Sequence, residues 1–338
     1  MHITGLLLII LGGVMEGLFS LPLKFTPKWS WENIWGAGSL CALVLVPWPL
    51  ALLTVPHLGS VYAAADHSAI LSALLFGAGW GCGGVFFGLG VASLGLSLGI
   101  SMIMGLIAIG GSVVPLLLQH RDRLETKSGA FLLLGIGIMI AGLLISGLAG
   151  SLKAGPSKTA ATSSPTRFAV GVFYCVAAGV LSALVNFALI FGAPIVKPVM
   201  AQGLDLATAN NAVWALVFTS SYLVNLGYSL FKCFRQNTFN KFFGPRSGRY
   251  WLWAALMGIL WAGGIVVYGR GASMGGTYGP VFGFPIMLIA SILTGNIAGV
   301  LSGEWRSTPA NARRTMAIGV GVMVLAIVVL GSASYATP

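Results

Sequence analysis

The carboxylates are the residues best able to carry proton chemistry, and this chain has only seven of them. They are Glu16, Glu32, Asp66, Asp122, Glu125, Asp205 and Glu304. Six lie in loops or at the ends of apolar segments, whereas Glu16 lies inside one. Placing a carboxylate within a membrane helix costs about 2.5–3.5 kcal/mol, so such residues usually face a cavity and serve a function. A carboxyl group shielded from water also holds a proton more readily, which makes Glu16 a candidate proton carrier.

Two other roles are open to Glu16. It could bind a hydroxyl group of a substrate without carrying a proton. It could also be structural, either hydrogen-bonded between helices or paired with Lys24 near the membrane edge.

Small and polar residues recur at helical spacing in two apolar segments. Aligning the first segment with the sixth pairs Gly13 with Gly179, Glu16 with Ser182, and Ser20 with Asn186. Spacings of three and four residues place each set on one helix face. Two such faces suit a water-filled cleft that includes Ser182 and Asn186. Close helix packing is the competing explanation, and for the glycines it is the stronger one.

Aromatic residues supply a second class of candidate ligand. Trp80 pairs with Trp261, and Phe87 with Tyr268, when the two halves of the chain are aligned. Flat sugar faces can stack on such rings, and tyrosine and tryptophan add a polar group. The alternative is helix packing or an interfacial position.

Two polar residues complete the set of candidate binding residues. Arg270, at the end of the eighth apolar segment, could pair with Glu16, bind substrate, or extend to the membrane surface. Asn296, within the ninth, is a candidate for binding a hydroxyl group.

The composition requires that these residues be held by membrane helices. Of 338 residues 57% are hydrophobic and 7% are charged, with 48 glycines and a mean hydropathy of +0.93. Soluble domains carry roughly 25% charged residues, and membrane helices use glycine for close packing. The net charge of +11 resides mainly in loops, as expected for cytoplasmic loops, and it does not indicate nucleic-acid binding.

The pattern also argues against metal sites and membrane-embedded catalysis. Cys41, Cys82, Cys175 and Cys233 are isolated, so free thiols, no metal and no cofactor are expected. Intramembrane proteolysis would need paired aspartates, a Ser/His dyad or an HExxH motif within a span. None is found there, so an enzyme is not expected.

Apolar runs of about 20 residues predict ten transmembrane helices and an all-α membrane protein. They are Ile3–Leu21, Ile34–Val55, Ala69–Ala92, Ser97–Gln119, Gly129–Ala149, Phe168–Phe191, Asn211–Lys232, Tyr250–Gly269, Pro280–Leu301 and Thr315–Ser334. Odd-numbered loops hold 13 basic residues and even-numbered loops 5, which predicts that both termini face the outside. The small-residue fifth and tenth helices suit either an oligomer contact or packing within the chain.

Internal similarity predicts two inverted repeats of five helices each. ASLGLSLG at 92–99 matches ASMGGTYG at 272–279, and GIGIMIAGLLISG at 135–147 matches GVGVMVLAIVVLG at 319–331. Residues 1–149 and 168–338 form the two repeats, joined by a cytoplasmic linker at 150–167. An odd number of helices in each repeat inverts the second copy, an arrangement that many secondary transporters share.

Several longer motifs resemble the L-rhamnose–proton symporter family of the drug/metabolite transporter superfamily. They are LPLKFTPKWSWENIW at 21–35, LVPWPLA at 45–51, LFGAGWG and GLGVASLGLSLG within 75–99, and GEWRS with ARR within 303–314. The resemblance implies import of a neutral sugar together with a proton across the bacterial inner membrane. L-rhamnose or a related six-carbon or deoxy sugar is the expected substrate. A metabolite or drug exporter or exchanger of the same superfamily is the alternative.

Overall fold

Helices are the only regular secondary structure in the part of the chain described by its structure, a computed structural model. The described residues are 3–110, 126–154, 165–245, 247–275, 279–301, 303, 305–306 and 308–335. The helices of the first half are α1 (Ile3–Leu18), α2 (Trp31–Leu40), α3 (Pro47–Thr54), α4 (Leu58–Ala64), α5 (His67–Ala108) and α6 (Lys127–Ala154). Those of the second half are α7 (Pro165–Ser182), α8 (Leu184–Phe191), α9 (Ala193–Met200), α10 (Leu206–Ala209), α11 (Asn211–Gln236), α12 (Ser247–Ser273), α13 (Gly279–Leu301) and α14 (Ala310–Tyr335).

Within these described ranges, nine helical stretches are long and apolar enough to cross a membrane. This agrees with the expected integral membrane protein. The first part of the predicted fourth span, Ser97–Gln119, lies within the described ranges, and its last nine residues, 111–119, lie outside them. The described ends of the predicted linker, 150–154 and 165–167, are helical because α6 and α7 extend into it.

The predicted second span is built from three consecutive helical pieces. A π-helical turn at Cys41–Leu45 separates α2 from α3, and the Val46 amide donates to the Cys41 carbonyl at 3.0 Å. Pro47 follows as the first residue of α3. Proline has no amide proton and its ring clashes with the preceding turn, so the helix widens at this point.

Helix α5 is not one straight rod, although it includes the predicted third span and the start of the fourth. A methyl group built on Gly99 would lie 2.9 Å from the Cα of Val91. Eight residues of straight helix would separate these positions by about 12 Å. The chain therefore reverses direction between them, and Gly99 closes the reversal because a side chain has no room there.

The second half contains a matching reversal. Helix α12 ends at Ser273 and α13 begins at Gly279. A methyl group built on Gly279 would lie 2.8 Å from the carbonyl carbon of Ala272. Gly279 thus occupies the same place in ASMGGTYG that Gly99 occupies in ASLGLSLG.

Contacts divide the chain into two compact units that differ from the two predicted repeats. Unit 1 comprises Met1–Gly17, Phe86–Ser182 and Val267–Pro338, and unit 2 comprises Leu18–Val85 and Ala183–Val266. Each unit therefore draws segments from both halves of the chain. The boundaries 85/86 and 266/267 differ by the same offset that aligns Phe87 with Tyr268 in the sequence.

In unit 1, α6 and α14 pack along their glycine-rich faces. A methyl group on Gly142 would lie 2.6 Å from Cγ of Met323, and one on Gly135 would lie 2.6 Å from the side chain of Leu330. Met323 and Leu330 are fully buried. The small residues of these two helices thus serve packing within the chain.

Other glycines also mark close approaches between helices, and these glycines are residues that the alignment of the two halves pairs. In unit 1, Gly13 of α1 contacts the backbone of α13, and Gly179 of α7 contacts Leu106 of α5. Likewise Gly271 of α12 contacts α1, and Gly90 of α5 contacts Cys175 of α7. In unit 2, Gly77 of α5 packs on α11, and Gly258 of α12 packs on α2.

A buried polar cluster in unit 2 holds the start of α2 against the end of α11. Glu32 is only 2% exposed, and its carboxyl accepts a 2.6 Å hydrogen bond from the Thr238 hydroxyl. Asn33 Nδ2 donates to the Thr238 carbonyl at 3.0 Å. With its amide turned to donate, Gln236 also reaches Glu32 Oε1 at 3.0 Å and accepts from Lys232 at 3.1 Å. Glu32 is therefore a buried structural acid, not a solvated residue at a helix end.

Candidate functional site

Glu16 lies on α1 where this helix comes closest to α13. Methyl groups built on Gly13 and Gly17 would lie 2.6 Å from side-chain atoms of Ala290 and Thr294. Because Gly13, three residues before Glu16, and Gly17, directly after it, fix this approach, the backbone at Glu16 is held tightly. The Glu16 side chain is half-buried and makes no hydrogen bond or ion pair with any described residue.

Tyr268 of α12 is a polar aromatic residue in the same unit as this acid. Its hydroxyl lies 3.5 Å from the Pro280 carbonyl oxygen. Its ring packs edge-on against Phe284, with centroids 6.1 Å apart. A hydroxyl so placed can donate to a carboxylate or to a bound hydroxyl group.

Asn296 lies on the same stretch of α13 that α1 contacts. Its side-chain Nδ2 is shielded from solvent and has no hydrogen-bond partner within the described residues. Buried amide donors are normally satisfied, so an unpaired one requires an explanation. A ligand oxygen would supply the missing acceptor.

The other predicted residues of unit 1 differ in their surroundings. Ser182 ends α7, and its hydroxyl donates to the Ala178 carbonyl at 2.7 Å. Phe87 packs in an apolar cluster with Cys175 and Ala178, which is the environment of a packing residue. Arg270 is exposed at the end of α12.

In unit 2 the structure brings Trp80 and Trp261 together. Their rings stack with centroids 5.8 Å apart and an angle of 28° between the planes. Phe218 of α11 touches both indoles, at 5.6 and 5.8 Å, and stacks on Trp214 at 4.9 Å. Both tryptophans are half-buried, so part of each ring stays accessible.

Sequence reasoning did not select Trp214 and Phe218. They lie four residues apart on one face of α11, and that spacing was the signal available. Asn186 is half-buried on α8 and makes no side-chain hydrogen bond with the described residues. The next residue, Phe187, stacks on Phe76.

The thiols and acids offer no metal centre among the described residues. All four cysteines are free, and no group of three or more metal-ligating side chains occurs in the ranges that the structure covers. The polar groups of the candidate site are therefore suited to hydrogen bonding and proton transfer.

Comparison with known proteins shows that one family matches nearly the whole chain. The family described as "L-rhamnose-proton symport protein (RhaT)" matches residues 1–335. Proteins named L-rhamnose-proton symporter are similar throughout. The one from Mannheimia succiniciproducens is 27% identical over 95% of this chain and 94% of its own. Those from Escherichia coli (strain 55989 / EAEC) and Yersinia pestis (strain Pestoides F) are 25% and 26% identical, over 95% and 97% of both chains. This chain belongs to the L-rhamnose-proton symport protein family.

Proposed function

We propose that this protein is a proton-coupled symporter that imports L-rhamnose or a closely related monosaccharide by alternating access. Its family and its relatives carry that name over nearly their full length. It is a multi-pass inner-membrane transporter and not an enzyme. The proton is the coupling ion, and no cofactor takes part.

The proposed architecture has ten helices in two inverted repeats, as in the drug/metabolite transporter superfamily. Three repeat-related pairs of glycine contacts support it. In each pair, the two helices of one contact are the repeat equivalents of the two helices of the other, as a two-fold axis requires. The α1–α13 contact at Gly13 corresponds to the α7–α5 contact at Gly179. The paired reversals at Gly99 and Gly279 support it as well. Residues 1–149 and 168–338 are the repeats, with both termini periplasmic and the linker 150–167 cytoplasmic.

The observation that carries the proposal is the stack of Trp80 on Trp261. The two residues are repeat partners, and residues related by a two-fold axis can touch each other only where that axis passes between them. In transporters built from inverted repeats, the substrate binds near the midplane between the repeats. An aromatic pair on the axis is therefore placed to stack against the apolar face of a sugar ring.

Glu16 is the proposed proton carrier. It has no ion-pair partner among the described residues, so no fixed positive charge there competes with a proton for the carboxylate. The Tyr268 hydroxyl and the Asn296 amide are the groups that would hold it or the sugar hydroxyls nearby. A membrane potential of about 150 mV is worth roughly 3.5 kcal/mol per charge moved, enough to concentrate a neutral sugar a few hundredfold.

Coupling requires that Glu16 be protonated whenever the loaded transporter changes conformation. Protonation from the outside makes the sugar-bound carrier neutral at this position, and release of the proton inside resets it. Ser182 and Asn186, which align with Glu16 and Ser20 in the other repeat, would then contact the sugar hydroxyls.

The test is uptake of labelled L-rhamnose by proteoliposomes with and without an inward proton gradient. Wild type should concentrate the sugar only with the gradient. Glu16→Gln should lose accumulation while still exchanging labelled for unlabelled sugar across the membrane. Asp66→Asn, which removes an exposed acid, is the matched control and should behave as wild type.

Two results would contradict the proposal. Gradient-driven accumulation by Glu16→Gln would remove Glu16 from the coupling role. A wild type that neither takes up L-rhamnose nor is inhibited by other six-carbon or deoxy sugars would refute the assignment of the substrate.

A further inference from the structure

A cleft outside the candidate sugar site lies between the loop before α2 and the loop after α11, in unit 2. Its volume is about 270 Å³, and its lining residues are Lys28, Trp29, Asn240, Lys241, Gly244, Pro245 and Tyr250. A water molecule occupies about 30 Å³ of the liquid, so the cleft has room for a phosphate group with a small alcohol attached.

The floor of the cleft is aromatic and held firmly in place. Trp29 and Tyr250 are 8% and 6% exposed, and their rings meet edge to face at 5.7 Å. The Trp29 indole N–H donates to the Lys241 carbonyl at 2.9 Å. These contacts fix the two loops to each other, so the cleft is formed before any ligand arrives.

The rim of the cleft is cationic. Lys28 is exposed and makes no hydrogen bond or ion pair with any described residue. Lys241 uses one ammonium proton to reach the Ser30 hydroxyl at 2.6 Å and keeps two others. Among the described residues no carboxylate lines the cleft, and Glu32, an acid close by in sequence, is buried and hydrogen-bonded to Thr238. Two ammonium groups with an amide from Asn240 are suited to an anion.

The surroundings indicate that this anion belongs to a lipid. Lys241 lies in the short 3₁₀ turn Phe239–Phe243, and Phe243 on that turn is 77% exposed. Two aromatic residues close in sequence to other lining residues are also exposed. Phe25, three residues before Lys28, is 46% exposed, and Trp251, directly after Tyr250, is 39% exposed. Aromatic side chains in such numbers next to lysines are typical of the membrane–water interface, where headgroups and acyl chains meet.

We propose that the cleft between Lys28 and Lys241 binds the phosphate headgroup of an anionic phospholipid. The phosphate lies between the two ammonium groups, and the acyl chains extend past Phe243 into the bilayer. This inference is independent of the sugar and of proton coupling.

The experiment measures retention of phosphatidylglycerol by the purified full-length protein in mixed micelles, using native mass spectrometry, with phosphatidylcholine as the reference lipid. Wild type should retain phosphatidylglycerol in preference to phosphatidylcholine. Lys28→Gln should weaken this retention roughly fivefold, the amount expected for one lysine near an anionic surface. Lys28→Arg keeps the charge and should retain the lipid.

Arg235→Gln is the matched control because Arg235 is exposed on the last turn of α11 but does not line the cleft. Its retention should equal that of wild type. Equal losses in Arg235→Gln and Lys28→Gln would mean diffuse attraction and would overturn the proposal, as would no loss in Lys28→Gln. Displacement of the lipid by equimolar glycerol 1-phosphate would identify a soluble phosphate ester as the ligand and would also overturn it.

Discussion

Replacing Thr238 by valine should destabilise the protein through the buried acid Glu32. Valine keeps the shape of threonine but removes the hydroxyl that donates to Glu32 at 2.6 Å. Hydrogen bonds to charged groups contribute about 1.5–3 kcal/mol, and a buried acceptor that loses its donor cannot replace it with a water molecule. Glu32 keeps the Gln236 amide as a partner at 3.0 Å. The expected loss is therefore about 2 kcal/mol.

The assay is thermal unfolding of the detergent-purified protein at one scan rate, followed by the fluorescence of its 10 tryptophans. For a chain of this size, about 2 kcal/mol lowers the midpoint by roughly 3 °C. Thr238→Ser keeps the hydroxyl and should lose much less. Ser68→Ala, which removes an exposed hydrogen bond to Asp66 at 2.8 Å, should change stability by no more than about 0.5 kcal/mol.

A double-mutant cycle with Glu32→Gln separates the pair from its surroundings. If the hydroxyl acts on the acid, the double variant is less destabilised than the sum of the single variants. The reasoning is refuted if Thr238→Val unfolds at the wild-type temperature, or if Thr238→Ser lowers the unfolding midpoint as much as Thr238→Val does.

Three further outcomes are expected. Gly142→Ala should destabilise the protein by roughly 1–3 kcal/mol in thermal unfolding, because its methyl would lie 2.6 Å from a side-chain carbon of the facing helix. Gly137→Ala on the same helix is the control. Its methyl meets nothing within 4 Å, so this variant should be neutral or stabilising. The pKa of Asp66 is held below its ordinary value of 3.8 by hydrogen bonds from the Ser68 backbone and hydroxyl. Its contribution to stability is therefore present above that value and is lost as the pH falls through the folded pKa, so the midpoint difference between wild type and Asp66→Asn should shrink from about pH 5 to about pH 3. Trp80→Ala should raise the KM for sugar uptake about tenfold, the equivalent of about 1.4 kcal/mol of stacking, and Trp80→Phe should raise it less.

The membrane class and most span positions could be read from the sequence because lipid imposes a simple rule on length and hydropathy. The predicted and observed starts of α11 coincide at Asn211, and α13 begins at Gly279 where Pro280 was expected. Hydropathy could not give the helix ends that extend beyond the apolar core. Helix α6 runs to Ala154, five residues past the predicted end, since a helix can continue into the interface with polar residues on its surface.

The π-helical turn at Cys41–Leu45 was not foreseen because hydropathy does not depend on hydrogen-bond register. Pro47 was the local signal for it. The burial of Glu32 was missed for a different reason. Its partner Thr238 is 206 residues away in the chain, and no local pattern relates the two positions.

The candidate site was reached in part through the repeat. Aligning the halves selected Trp80 and Trp261, which the structure stacks on each other. The same alignment offered no counterpart for Trp214 and Phe218, whose role depends on how α11 packs against that pair. Alignment of the halves therefore selected two residues that contact each other, but not the aromatic residues that pack beside them.

The tight reversal between α12 and α13 has a consequence for biogenesis. Residues 274–278, the five between the two helices, can bridge at most about 20 Å even when fully extended. The hydrocarbon core is about 30 Å thick, so both helix ends must emerge on the same side of the membrane. The end of α12 cannot stay on one side of the membrane while the start of α13 lies on the other. We therefore expect the two to enter the bilayer as one helical hairpin, with Gly279 at the contact between them.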